Sequence, residues 1–382
     1  MSNSTQPGIE KRPLHSSPLF SLFSPVDSLQ WLWRELAPFP GRTTMTLRLV
    51  VAVVVVTIIS MVLQTPLTWL SAYMVFFVTK ENRLITTLTG IGAFLGATIG
   101  IAMSLLFYRY TFDYPEFRIP VMAATVFAGM FFSRVFAIGP LAFAIGFVLA
   151  VTQSMAESVR TTDELVRGIL WLWVATVFPV AIAVIVNQTL LPANPKPAAS
   201  AKARKGLFVP DAFTNPNYVR FGLKVALATM SCYVMYMALD WPGIRTAFIT
   251  CCFIALESTE ATMRKARLRL VGCVIGGSLG FLAILYLIPH MESIVALVLL
   301  TAAGAALAAW VAAGSERISY AGLQIALAFF MCIFQGFAPD IDFNTIRNRV
   351  VGIVLGILVS AVVFQYLWPE REAGEERRAG NS

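Results

Sequence analysis

The sequence predicts an all-α polytopic membrane protein, with about twelve transmembrane helices arranged as two parallel six-helix repeats. Three observations predict it. Hydrophobic residues make up 57% of the 382 residues and charged residues only 13%, with a mean hydropathy of +0.73. A soluble domain carries about 25% charged residues, so this chain cannot cover itself against water. Its apolar runs approach the roughly 20 residues that a helix needs to cross a bilayer. Finally, landmarks of the first half recur at a near-constant offset in the second.

Residues 1–46 form a cytoplasmic or interfacial segment. They hold Pro7, Pro13, Pro18, Pro25, Pro38 and Pro40, with no long apolar core and no A-x-A site, so no secretory signal peptide is expected. The stretch Leu19 to Leu36 places Phe20, Phe23, Trp31 and Trp33 among polar residues. It suits either the membrane surface or the side of the helix bundle.

The first membrane half, 47–191, contains spans at about 47–64, 67–79, 85–107, 119–136, 139–155 and 165–190. A basic cytoplasmic linker follows at 192–220, with Lys196, Lys202, Arg204 and Lys205 among prolines and small residues. Anionic lipid headgroups are its expected neighbours, not nucleic acid. The second half, 221–368, contains spans at about 221–239, 243–256, 268–288, 293–313, 319–337 and 348–367, before a cytoplasmic tail at 369–382. The second and eighth spans are short for a full crossing, which neighbouring helices can shield. With the N-terminus inside, 22 of the 29 Lys and Arg fall on the cytoplasmic side and 7 on the other. That bias predicts both termini in the cytoplasm, with Arg264, Lys265, Arg267 and Arg269 as the strongest single marker.

The repeat is read residue by residue. Arg48 and Lys224, Pro66 and Pro242, Phe77 and Phe253, and Glu81 and Glu257 are each 176 apart. After a four-residue insertion, Gly92, Gly96 and Gly100 match Gly272, Gly276 and Gly280 at an offset of 180. Near the ends, Gln188-x-x-x-Pro192 matches Gln365-x-x-x-Pro369. An even number of spans per half gives both halves one orientation, with an internal two-fold along the membrane normal and a site or pathway between them.

Several chemistries are excluded. The five cysteines lie in apolar runs without a CxxC partner, and the two histidines, His15 and His290, are far apart. No zinc site, metal cluster, P-loop or nucleophile–base pair is expected, so neither an enzyme nor a cofactor is read here.

The candidate residues come from the repeat. The glycine rows put three glycines on one helix face and let backbones approach closely in lipid. Glu81 and Glu257 each end a short span and are candidates for proton coupling, or else solvated surface carboxylates. Arg48 and Lys224 begin spans one and seven; they either snorkel to the surface or attract anions at the cytoplasmic mouth. Arg167 and Arg349, 182 apart, with Asp340 and Asp342 nearby, form either an outer gate or outer-face salt bridges. Gln153 and Gln335, also 182 apart, are candidate polar residues of a pathway, because a buried amide needs partners.

Further motifs carry a family resemblance. They are Pro38-Phe39-Pro40-Gly41-Arg42, the stretch from Asn215-Pro216-Asn217-Tyr218 to Lys224, Asp240-Trp241-Pro242-Gly243, Arg269-Leu270-Val271-Gly272 and Arg349-Val350-Val351-Gly352. Together they resemble the fusaric acid resistance and aromatic acid exporter superfamily, in its branch serving as the inner-membrane component of tripartite multidrug efflux systems. The resemblance implies two six-helix bundles and proton-driven export of aromatic carboxylates or amphipathic drugs from the cytoplasm. It also implies a periplasmic adaptor and an outer-membrane channel as partners, with a homo-oligomer compatible. The sizeable cytoplasmic domain common between the halves in this family is replaced here by the short linker. A passive anion channel and a non-transporting scaffold are the competing classes.

Overall fold

The computed structural model describes residues 33–156, 159, 161–189, 207–255, 259–334 and 343–367. Residues 33–36 form one helical turn within a compact unit ending at Pro38. A second unit begins at Phe39, and everything below concerns it.

Twelve helices follow in order among the described residues: α1 Arg42–Val62, α2 Thr68–Val78, α3 Arg83–Thr111, α4 Pro115–Val135, α5 Gly139–Gln153, α6 Thr162–Thr189, α7 Pro216–Ala238, α8 Thr246–Ile254, α9 Thr259–Leu282, α10 Ile294–Ala312, α11 Ser319–Ile333 and α12 Phe343–Tyr366. A 3₁₀ turn, Pro242–Arg245, leads into α8, and a π turn, Ala283–Leu287, extends α9. The described elements are helical apart from one isolated antiparallel bridge, Phe136 to Phe208. Eight of the helices are long and apolar enough to cross a membrane; α2, α5, α8 and α11 are shorter. The sequence singles out spans two and eight as short, and the structure adds five and eleven. At 11 residues, α2 is about 17 Å long, roughly half a bilayer core.

The turns that break the first long helix of each half are alike. After α1, Gln64 takes φ 51° and its N–H bonds to the Met61 carbonyl, while the Thr65 N–H reaches Ser60 at 2.9 Å. After α7, Asp240 takes φ 46° and bonds to Met237, while Trp241 reaches Tyr236 at 3.0 Å. Both are left-handed helix caps whose crossed bonds satisfy the last carbonyls, followed two residues on by Pro66 or Pro242. Gln64 and Asp240 are 176 apart, the offset already read from the side chains.

The pairings recur in the same way. α1 packs on α2 and α6, as α7 packs on α8 and α12; α3 packs on α5 and α6, as α9 does on α11 and α12. Across the halves, α1 meets α10 and α4 meets α7. As a result the two apolar cores are shared. One gathers Val53, Val75 and Ala183 of the first half with Ala308 and Phe330 of the second. The other gathers Tyr233, Phe248 and Phe364 of the second half with Val126 and Ala150 of the first. The short helices meet through rings. Phe76 of α2 lies 6.0 Å from Phe330 of α11, and Phe253 of α8 lies 4.7 Å from Phe147 of α5.

The glycine rows explain two of the tightest contacts. A Cβ at Gly96 or Gly100 would lie within 3.0 Å of Ala144 or Val148 on α5. One at Gly276 would strike the backbone of Ile325 on α11. With no aqueous drive to join helices in lipid, such approach supplies the packing. Gly92 departs from the expected row: a Cβ there meets nothing within 4 Å. The close contact of that turn belongs to Gly90, whose added Cβ would press on Val184 and Val180 of α6.

Candidate functional site

The basic run, expected at the cytoplasmic edge, lies on the first turns of α9, which begins at Thr259, well before the sequence boundary of about 268. The helix divides it. Arg264 and Arg267 are exposed, Lys265 is half-buried and Arg269 is 2% exposed. Residues four apart share a helix face, so Lys265 and Arg269 point the same way.

That face packs against α11. Arg269 Nη1 donates to Gln324 Oε1 at 3.1 Å and to Tyr320 Oη at 3.3 Å, and Nε donates to Thr250 Oγ1 of α8 at 3.2 Å. Its guanidinium carbon lies 5.7 Å from the Phe253 ring centre, and Lys265 Nζ lies 5.1 Å from that of Tyr320. Two turns further along α11, Met331 Sδ accepts from Arg349 Nη1 of α12 at 2.6 Å. Arg349 is 6% exposed, and among the described residues its Nε and Nη2 have no hydrogen-bond partner. α2 of the first half, which carries the buried Tyr73, packs on α11. An arginine at the middle of a membrane helix costs about 2.5–3.5 kcal/mol on insertion scales, so buried cations facing a bundle interior mark function.

A second constellation joins α1, α2 and α6. Arg48, 3% exposed, donates to Asn187 Oδ1 at 3.2 Å, and Asn187 Nδ2 donates to Thr79 Oγ1 at 3.2 Å and to the Ala183 carbonyl at 2.7 Å. In the other half Lys224, 7% exposed, sets Nζ 5.4 Å from the Phe364 ring centre. Neither cation extends freely into solvent. Beside the first, Lys80 covers the Phe77 ring at 5.6 Å, and burial lowers its ammonium below the usual lysine range. Between the halves, Arg42 is fully buried, donating from Nε to the Trp310 carbonyl at 2.9 Å with the Trp310 ring 4.7 Å away.

The remaining candidates scatter. Arg167 is exposed and bonds Asp163 at 2.9 Å, so its surroundings differ from those of the buried Arg349. Gln153 is buried; its Nε2 donates to Thr125 Oγ1 at 3.4 Å, and its Oε1 has no partner. Glu81 is exposed. Glu257, Gln335, Asp340 and Asp342 lie outside the described residues. At the end of the linker, the Val209 N–H bonds the Val135 carbonyl at 2.9 Å. Asp211 there accepts from Asn215 Nδ2 and Tyr218 Oη, and the Asn215 bond holds its carboxyl below the usual range. The five cysteines are free and buried.

Sequence reasoning missed Lys265 and Arg269 as interior residues. The signal was present: seven residues before Gly272 and Gly276, on the same helix face, stand Lys265 and Arg269. A glycine row known to face a partner helix carries the residues one heptad earlier toward that partner.

These features define a multi-pass, all-α membrane protein with buried cations between its helices. Residues 228–363 match the family model described as fusaric acid resistance protein-like, the family the motifs resemble. The chain is 38% identical over 190 residues to multidrug resistance protein MdtO of Shigella flexneri and of Escherichia coli O157:H7. It is 37% identical over 190 residues to that of Escherichia coli K12. Each alignment covers 49% of this chain but 28% of the relative, so the chain matches little more than a quarter of those proteins. No solved structure matches it.

Proposed function

We propose that the chain is the inner-membrane component of an efflux system, exporting aromatic carboxylates or amphipathic drugs from the cytoplasm at the expense of the proton gradient. The observation that carries this reading is the similarity to proteins named for multidrug resistance, over a stretch as long as a whole membrane half. The recurring helix pairings support two halves related by an internal two-fold, with the pathway between them. In this reading both termini are cytoplasmic, Glu81 and Glu257 exchange the coupling proton, and a periplasmic adaptor and outer-membrane channel receive the substrate.

The test is accumulation of labelled benzoate and of an amphipathic cationic dye in cells with and without the chain. Expression should lower accumulation of at least one of them, and a protonophore should abolish the difference. Benzoate flux that follows its own gradient regardless of the proton gradient would make the protein a channel. Accumulation unaffected by expression, with an adaptor and outer-membrane channel supplied, would overturn transport altogether.

A further inference from the structure

Every buried cation in a bilayer interior must be accounted for, and Arg349 is not. It is 6% exposed, and among the described residues one edge of its guanidinium, Nε and Nη2, has no hydrogen-bond partner. Its polar neighbours are sulfur atoms, the Met331 thioether and the Cys273 thiol, both weak neutral acceptors. Arg269 holds three hydrogen bonds, but all go to neutral oxygens, which leave its charge uncompensated. Among the described residues no carboxylate contacts Lys265, Arg269 or Arg349.

We propose that Arg349 and Arg269 form a binding site for the carboxylate of an aromatic organic anion, entered past Lys265. This assignment rests on the transport reading and names the place where that transport would hold its substrate. Nε–H and Nη2–H lie parallel on one side of a guanidinium, the fork that takes both oxygens of a carboxylate. Arg349 therefore binds the head group. Arg269 sits two turns away along α11, about 10 Å by helical rise from Gln324 to Met331, and serves as the preceding station. Lys265, one turn earlier on the same face of α9, is the first. The order runs inward from the end that the charge bias assigns to the cytoplasm.

The surroundings suit a ring. Phe253 and Tyr320 flank Arg269 and Lys265. An anion seated there lies among α9, α11 and α12, and α11 packs on α2 of the first half, so its binding bears on both halves.

The test uses the full chain purified in lipid nanodiscs, with benzoate as probe and benzamide as its neutral isostere. Benzoate should raise the thermal midpoint saturably and benzamide should not. Arg349→Gln and Arg269→Gln should each weaken benzoate binding at least tenfold, while Arg349→Lys, which keeps the charge and loses the fork, should weaken it less than Arg349→Gln. Without ligand, Arg349→Gln should unfold at the same temperature as the parent or higher, because it removes an unpaired buried charge. The proposal fails if benzoate and benzamide act alike, if benzoate binds Arg349→Gln unchanged, or if that variant collapses without ligand, which would make Arg349 one half of an internal ion pair. Export of benzoate from cells by Arg349→Gln at the parental rate would sink the site and leave transport standing. Arginine-dependent binding with no export would do the reverse.

Discussion

Adding one methyl group at Gly276 tests the packing of α9 on α11. The new Cβ would meet the Ile325 carbonyl oxygen, with its carbon and Cα both at 2.9 Å. Ordinary contact begins at 3.4 Å, so the helices must part by roughly 0.5 Å or more, and the obstacle is backbone that cannot turn aside. Overpacking of this kind costs about 1–3 kcal/mol. Gly92→Ala is the control on the matching row. Nothing lies within 4 Å of its Cβ, so it keeps only the helix-propensity gain of about 0.5–1 kcal/mol. The two substitutions should move stability in opposite directions. At about 2.1 cal/mol/K of unfolding entropy per residue, one kcal/mol shifts the midpoint of a 382-residue chain by about 1 °C, so the variants should differ by about 2–5 °C. Thermal unfolding followed by tryptophan fluorescence in one detergent measures it, and Gly276→Leu should also lower the yield of folded protein. If the two alanine variants shift together, the close approach of α9 and α11 is refuted.

The left-handed caps offer a second check. Gln64→Gly and Asp240→Gly should each raise the thermal midpoint, since relief of an unfavourable φ, worth about 1–2 kcal/mol, outweighs the added chain entropy of glycine. Unchanged midpoints would mean those side chains compensate the strain. Reporter fusions after Lys205 and at the C-terminus should both read cytoplasmic, and a periplasmic reading at either would overturn the assigned orientation. Glu257→Gln should abolish proton-coupled efflux from proteoliposomes at normal protein level, with Glu81→Gln equal or weaker. Parental rates in the double variant would return both residues to the solvated surface.

Helix number and order were legible because each rests on a one-dimensional signal: apolar length, proline breaks and a charge bias between loops. One landmark of the proposed repeat has a structural counterpart: Gln64 and Asp240, 176 apart, make the same left-handed turn before a proline. What the sequence did not give up was depth. Arg264 to Arg269 read as a loop, since four charges in six residues outweigh any apolar signal in a window. Helical geometry then places two of them outward and turns Lys265 and Arg269 inward. Similarly, the offset that pairs Arg167 with Arg349 reports common descent of position and says nothing of burial. Gly92 was assigned to packing by row membership alone, although the closest approach on that turn falls two residues earlier.

Charge compensation runs opposite to what stability alone would select. At the start of α6, Asp163 stands one turn before Arg167 and bonds it at 2.9 Å, although both are largely exposed and such a pair contributes little. At the matching position in α12 stands Thr345, so Arg349 lacks that acid. Arg349 is the buried member of the pair, where an uncompensated charge costs most. Arg269 has no charged counterpart either: an offset of 180 leads back to Thr89. The helix pairings recur between the halves, but these buried arginines do not. In the proposed reading one such site suffices, because an anion held by α9, α11 and α12 bears on the first half through the packing of α11 on α2. A second, symmetric set of cations would add insertion cost without adding coupling.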